Sequence, residues 1–223
     1  PAHGRPFGHP GQNATDTAGG NLLVLTGGHR NAGAMAETAE SGVGYRTLLA
    51  DRRLVVVLLV AVMGSLSSNV ASPALPGVAD HFAVSAARVG LVMTAFTVPT
   101  MVAVPLTGVL ADTYGRRRVV VPSLVLYGLA GAAVGLVGSF DAVLALRAVQ
   151  GAAFAGVMPL SVTILGDLYS GATGSSAQGL RVSVNGLNSA VVPVVVGALV
   201  ALSWAYPFFI YALAIPAAAV VAL

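Results

Sequence analysis

The chain contains no cysteine, and only 9% of its 223 residues are charged. The first absence excludes a disulfide framework, a thiolate metal site and a cysteine nucleophile. The second excludes an ordinary soluble domain, in which about a quarter of the residues carry charge. Lysine is missing too, so every cationic residue is an arginine. These arginines stand at the edges of apolar runs rather than on one surface, and a pI near 9.7 therefore does not point to nucleic acid. No histidine falls inside an apolar run, which removes the base a serine hydrolase needs. No run interior holds paired aspartates, and there is no HExxH, no GxxxxGK[ST] and no Cys/His cluster. Enzymatic, ATP-driven and metal-dependent readings have nothing to stand on, and no cofactor or metal is expected.

Apolar residues fill the space that charge leaves. They make up 56% of the chain, and the mean hydropathy is +0.85. In lipid the useful unit is a run of about 20 apolar residues. Six such runs can be marked: Leu54 to Leu75, Val89 to Leu110, Val119 to Val137, Ala142 to Leu165, Val182 to Leu202, and Pro207 to the end. Helices satisfy every backbone polar group within one segment, and the short alternating segments of a β-barrel are not seen. The expected fold is an all-α integral membrane bundle of six transmembrane helices over residues 51–223.

Residues 1–50 are rich in Gly, Ala, Thr, Asn and His, and are expected to form a disordered cytoplasmic tail. Leu22 to Leu25 is too short for a signal-peptide core. The first methionine is Met35, so translation is expected to start there and residues 1–34 not to be native. The Asn13-Ala14-Thr15 sequon is read as a chance occurrence.

Arginines alternate in side. Arg46, Arg52 and Arg53 precede the first run, Arg116 to Arg118 separate the second and third, and Arg181 opens the fifth, against Arg88 alone on the other connections. The positive-inside rule then puts the N-terminus in the cytoplasm of a multi-pass plasma-membrane protein. Trp204 and Tyr206, in the short turn before the last run, read as interface anchors.

The charged turn between the second and third runs is GVLADTYGRRRVV, Gly108 to Val120. It resembles the signature loop of the major facilitator superfamily of transporters, GxLaDrxGrkxxl. Gly108, Leu110, Asp112, Gly115, Arg116 and Arg117 fall on its main positions. Thr113 replaces a basic residue, and Val120 replaces the closing leucine. A second stretch, LRAVQGAAFAG, is similar to the family's fourth-helix motif RxxqGxgaa through Arg147, Gln150 and Gly151.

The resemblance implies the N-terminal six-helix half of a twelve-span secondary transporter, cut at or within its sixth helix, whose C-terminal half is missing. It also implies transport of small molecules by alternating access, most like the multidrug or metabolite efflux branch. The competing expectation is a truncated or pseudogene product with no transport of its own. By the same resemblance Asp112 faces a helix N-terminus of the second half while the loop arginine, Arg116, pairs with an acid. The plainer reading of this loop is a positive-inside anchor with a solvated aspartate. The flanking Gly108 and Gly115 suit a close approach or a positive φ.

Arg147 is the costliest residue to insert, at about 2.5–3.5 kcal/mol mid-span. It either faces the central cavity, as the resemblance implies, or snorkels to the headgroups. Gln150 extends its polar face. Asn69, Asn185 and Asn188 either bond helices together or line that cavity. The fifth run departs from the antiporter pattern gxxxGPxxGG, keeping only Pro193 and Gly197, which leaves a kink site and weakens antiport. Gly131 with Gly135, and Ala152 with Gly156, form small-xxx-small faces for close packing. Asp141 is expected to cap a helix.

Overall fold

The computed structural model describes residues 51–222. The expected tail over residues 1–50, with Met35 and Asn13, lies outside the described residues, as does Leu223. The described chain is helical: α1 (Arg52–Phe82), a single turn (Ala86–Val89), α2 (Leu91–Tyr114), α3 (Arg116–Ala133), α4 (Phe140–Phe154), α5 (Met158–Leu168), α6 (Gly171–Leu202), a 3₁₀ segment (Tyr206–Leu213) and α7 (Ala214–Ala222). Every expected span has its counterpart. Four stretches are long and apolar enough to cross a bilayer unbroken: α1, Ala86–Tyr114, Arg116–Leu136 and α6. The fourth span is shared by α4 and α5, and the sixth is the shorter run Tyr206–Ala222.

The fourth span was expected to be one helix, and it is broken at Ala155–Val157. Proline explains this. Pro159, in the first turn of α5, has no N–H to give the carbonyl four residues back, which is that of Ala155. The Thr107 hydroxyl of α2 donates to that carbonyl instead, at 3.1 Å. Gly156 and Val157 N–H groups close tight turns onto Ala153 and Phe154. An orphan acceptor in hydrocarbon would cost several kcal/mol, so the threonine makes the break tolerable.

The first span runs past its expected end at Leu75, through Pro73 and Pro76, to Phe82. It stops at Ala83, whose φ of 51° and ψ of 42° are left-handed. The Val84 N–H then reaches Ala79 O at 3.1 Å and the Ala83 N–H reaches Asp80 O at 3.4 Å, the paired bonds of a Schellman ending. Asp51 caps the other end by accepting from the Arg53 N–H at 2.9 Å. At α4 the cap is Ser139, which accepts from the Ala142 N–H at 3.2 Å. Asp141, expected as the cap, sits in the first turn and pairs with Arg88 at 3.8 Å.

Helix α1 is the centre of the bundle. Its Val70, Ala74 and Val78 are buried with Leu124 and Tyr127 of α3, Val143 of α4, and Phe208 and Tyr211 of the 3₁₀ segment. Between lipid-embedded helices there is little hydrophobic driving force, so close backbone approach carries the packing. Gly131 and Gly135 meet Tyr211 and Ala205, and Gly156 meets Ser123. The second small face is shifted by one from the expected Ala152 and Gly156. Ala152 is exposed, whereas a Cβ on Gly151 would overlap the Phe96 carbonyl of α2. The Thr100 hydroxyl donates to Gly151 O at 2.8 Å across the same contact. Helices α2 and α6 flank the bundle and are largely exposed, whereas most of α1 is buried.

Candidate functional site

Two groups of polar residues stand out, one in the core and one at the end where α1 and α3 begin. In the core, Arg147 is 1% exposed. Within these spans its guanidinium is enclosed by its own bundle. The reason lies in the sixth span. In a 3₁₀ helix residues three apart lie one above the other, so Phe208 and Tyr211 present their rings on one face. Both cover the guanidinium, whose carbon is 5.3 Å from the Phe208 ring centre and 5.5 Å from that of Tyr211. Such cation–π contacts grow stronger when desolvated.

Arg147 Nη1 donates to Gln150 Oε1 at 3.0 Å and to the Tyr211 hydroxyl at 3.4 Å. That hydroxyl also lies 3.2 Å from Ser67 O and 3.4 Å from Leu66 O, acceptors on α1. The Ser67 and Tyr127 hydroxyls pair at 2.9 Å. Four helical segments thus meet on one buried polar cluster. Among the described residues Arg147 Nε and Nη2 and Gln150 Nε2 have no hydrogen-bond partner, and no carboxylate neutralises the charge. The motif pointed to Arg147 and Gln150 but not to Ser67, Tyr127 or Tyr211. A tyrosine inside an apolar span was the available signal, because a buried phenol needs a partner.

The asparagines join helices. Asn69 Nδ2 donates to Ser189 Oγ at 3.1 Å, and Asn188 Nδ2 to Ser65 Oγ, so both cross from α1 to α6 or back. Asn185 is half-buried and its Oδ1 has no partner among the described residues. Pro193 lies within a continuous α6, and beside Gly197 there is open space.

The charged turn sits between α2 and α3. Gly115 has a φ of 93°, a backbone that a side chain would strain, while Gly108 borders open space. Asp112 and Arg117 are exposed. Arg116 forms an ion pair with Asp167 near the end of α5. Asp167 escaped the sequence reading, although an acid just beyond the fourth run falls at the arginine end by the alternation of spans. Nearby, the Tyr169 hydroxyl donates to Asp51 Oδ2, tying the end of α5 to the start of α1. Desolvation and that carboxylate push the Tyr169 phenol up to about 12, and the phenol and the Arg53 N–H hold the Asp51 carboxyl below its ordinary range.

The family model of the Major Facilitator Superfamily matches residues 57–223, taking in most of α1, the charged turn and the buried arginine. The chain belongs to the Major Facilitator Superfamily. Among curated superfamily proteins it is 27% identical over 159 residues to the bacillibactin exporter of Bacillus subtilis, covering 69% of this chain and 39% of that protein. It is 28% identical over 177 residues to the multidrug transporter protein MdtP of the same organism, covering 79% and 32%. To the multidrug export protein EmrB of Haemophilus influenzae it is 32% identical over 111 residues, covering 50% and 22%. The chain spans about a third of the length of the first two superfamily relatives.

Proposed function

We propose that the chain is the first six-helix half of a secondary transporter that exports small molecules by alternating access. The observation that carries this reading is the contrast between a well-buried α1 and two flanking helices, α2 and α6, left largely uncovered. A second half seated on those faces would enclose a pathway between the two bundles, and the export named for two of the relatives favours outward transport. The proposed location is the plasma membrane with the N-terminus in the cytoplasm, consistent with the arginines at that end.

In this cycle Asp112 is the exposed half of a latch, facing a helix N-terminus of the second half, while Arg116 is held by Asp167. Arg147 and Gln150 act from inside the bundle, setting the relation of the fourth span to the sixth through Tyr211. Asn69 and Asn188 bond α1 to α6, Asn185 lies three residues before Asn188 on α6 as a cavity candidate, and Pro193 and Gly197 offer α6 a bending point.

The test is efflux of a fluorescent dye panel from cells expressing the full reading frame, with and without collapse of the proton gradient. Energy-dependent extrusion that falls at least tenfold in Asp112→Asn supports the proposal. Extrusion indistinguishable from empty-vector cells, with the protein present in the membrane, favours the second reading, a half-transporter without a cycle of its own.

A further inference from the structure

At the end of the bundle where α1 and α3 begin, a cavity of about 630 Å³ opens between α1, α3, α5 and α7. That volume is within the range of small-molecule sites. Its rim and its walls differ in chemistry. The rim carries Arg52 and Arg53 from the first turn of α1, and Arg116 and Arg117 from the first turn of α3. Among the described residues Asp167 is the one acid lining the rim, and it is engaged with Arg116. Among the described residues Arg52, Arg53 and Arg117 have no ion pair. The first turn of α3 also lacks a side-chain cap, so its backbone N–H groups and dipole add to the positive potential at the rim.

Below the rim the walls are mainly aliphatic, built by Val57, Val60, Val120, Ile164 and Val221, with Ser161 the one polar side chain among them, its hydroxyl bonded to the Met158 carbonyl. A hydrated inorganic anion could use the rim but would leave those walls bare. An amphiphile with an anionic head satisfies both. The cavity starts at the arginine end and runs into the apolar part of the spans, where a bilayer lipid presents its own boundary between phosphate and acyl chain. We propose that the cavity binds an anionic phospholipid, the phosphodiester among Arg52, Arg53 and Arg117 and the first acyl carbons against the valine walls.

Each juxtamembrane arginine contributes roughly a five- to sixfold gain in affinity for an anionic lipid, so removing two weakens binding by roughly thirtyfold. The purified full chain is titrated in detergent with dioleoyl phosphatidylglycerol, dioleoyl phosphatidylcholine or inorganic phosphate, and bound adducts are counted by native mass spectrometry. The expected result is a phosphatidylglycerol adduct at least tenfold favoured over phosphatidylcholine and not displaced by inorganic phosphate. It weakens by roughly thirtyfold in the double variant Arg52→Gln/Arg117→Gln. Val56→Trp, which crowds the cavity without touching a charge, weakens the same adduct, whereas Arg88→Gln at the opposite end leaves it unchanged. Equal retention of phosphatidylcholine would mean ordinary boundary lipid, and displacement by inorganic phosphate a soluble-anion site. Either result overturns the proposal, as does full binding by the arginine double variant when its thermal midpoint matches the parent chain.

Discussion

Arg147 is buried with two of its three nitrogens unpartnered among the described residues, held by two aromatic faces and by the hydrogen bonds of Nη1 to Gln150 and Tyr211. Removing an uncompensated buried charge relieves its desolvation cost, while the buried Gln150 Oε1 left without its donor costs about 1–3 kcal/mol, so the two effects offset. Arg147→Met is therefore expected to leave the thermal midpoint in detergent unchanged while abolishing dye extrusion by the full frame. Retained extrusion would reduce Arg147 to a packing element. A pH response belongs to this scale as well. The Tyr169 phenol titrates near 12 in the folded chain against 10.0 when exposed, so its stabilising effect is complete below pH 10 and fades as pH climbs toward 12. The Asp51 carboxyl is depressed, so its share is present above the ordinary carboxylate range and is lost as pH falls below it. In a thermal-midpoint scan against pH, Tyr169→Phe should flatten both limbs. The arginine and glutamine of the core were legible because a motif fixes their spacing. Their partners were not, since Tyr211 lies 64 residues from Arg147 and Ser67 lies 60 from Tyr127, separations that leave no local trace.

At the scale of helices, apolar run length located every span, because the bilayer sets a length that a sequence displays directly. Run length could not show the interruption of the fourth span, since a hydropathy window reads Gly, Ala and Val as continuous while the break depends on Pro159 and on a threonine from another helix. Small-residue spacing likewise predicted close approach but not its register. By small-residue spacing alone Gly151 and Ala152 have equal standing, and the Phe96 carbonyl decides between them. Gly151→Ala should destabilise the bundle by about 1–3 kcal/mol through overpacking, despite the ~1 kcal/mol that alanine gains over glycine in a helix. Ala152→Val, on the exposed face, should stay within about 0.5 kcal/mol of the parent. Unfolding in a mixed-detergent titration compares the two directly, and an inverted order would place the contact elsewhere.

For the molecule as a whole, these 223 residues hold no cysteine, so a thiol introduced among them is unique there, and any cysteine elsewhere in the full frame is first changed to serine. Met101 on α2 and Val194 on α6 are 71% and 73% exposed, and Leu136 after α3 is 74% exposed. If a second half covers α2 and α6, Met101→Cys and Val194→Cys should label with a membrane-permeant maleimide at least fivefold more slowly in the full frame than in the 223-residue chain, while Leu136→Cys labels equally in both. Equal rates at all three positions would leave α2 and α6 to the lipid. The break in the fourth span bears on how such a machine could move. Helix α4 packs on α2 and α3 and carries Arg147, whereas α5 packs on α1 and α6 and carries Asp167. With no helical bond from Pro159 to Ala155, the span transmits torque poorly and works like a shaft with a flexible coupling. If the chain is half of a transporter, as proposed, the Asp167 end of α5 can part from Arg116 while α4 keeps the buried arginine clamped, so the two charge sites need not switch at the same moment.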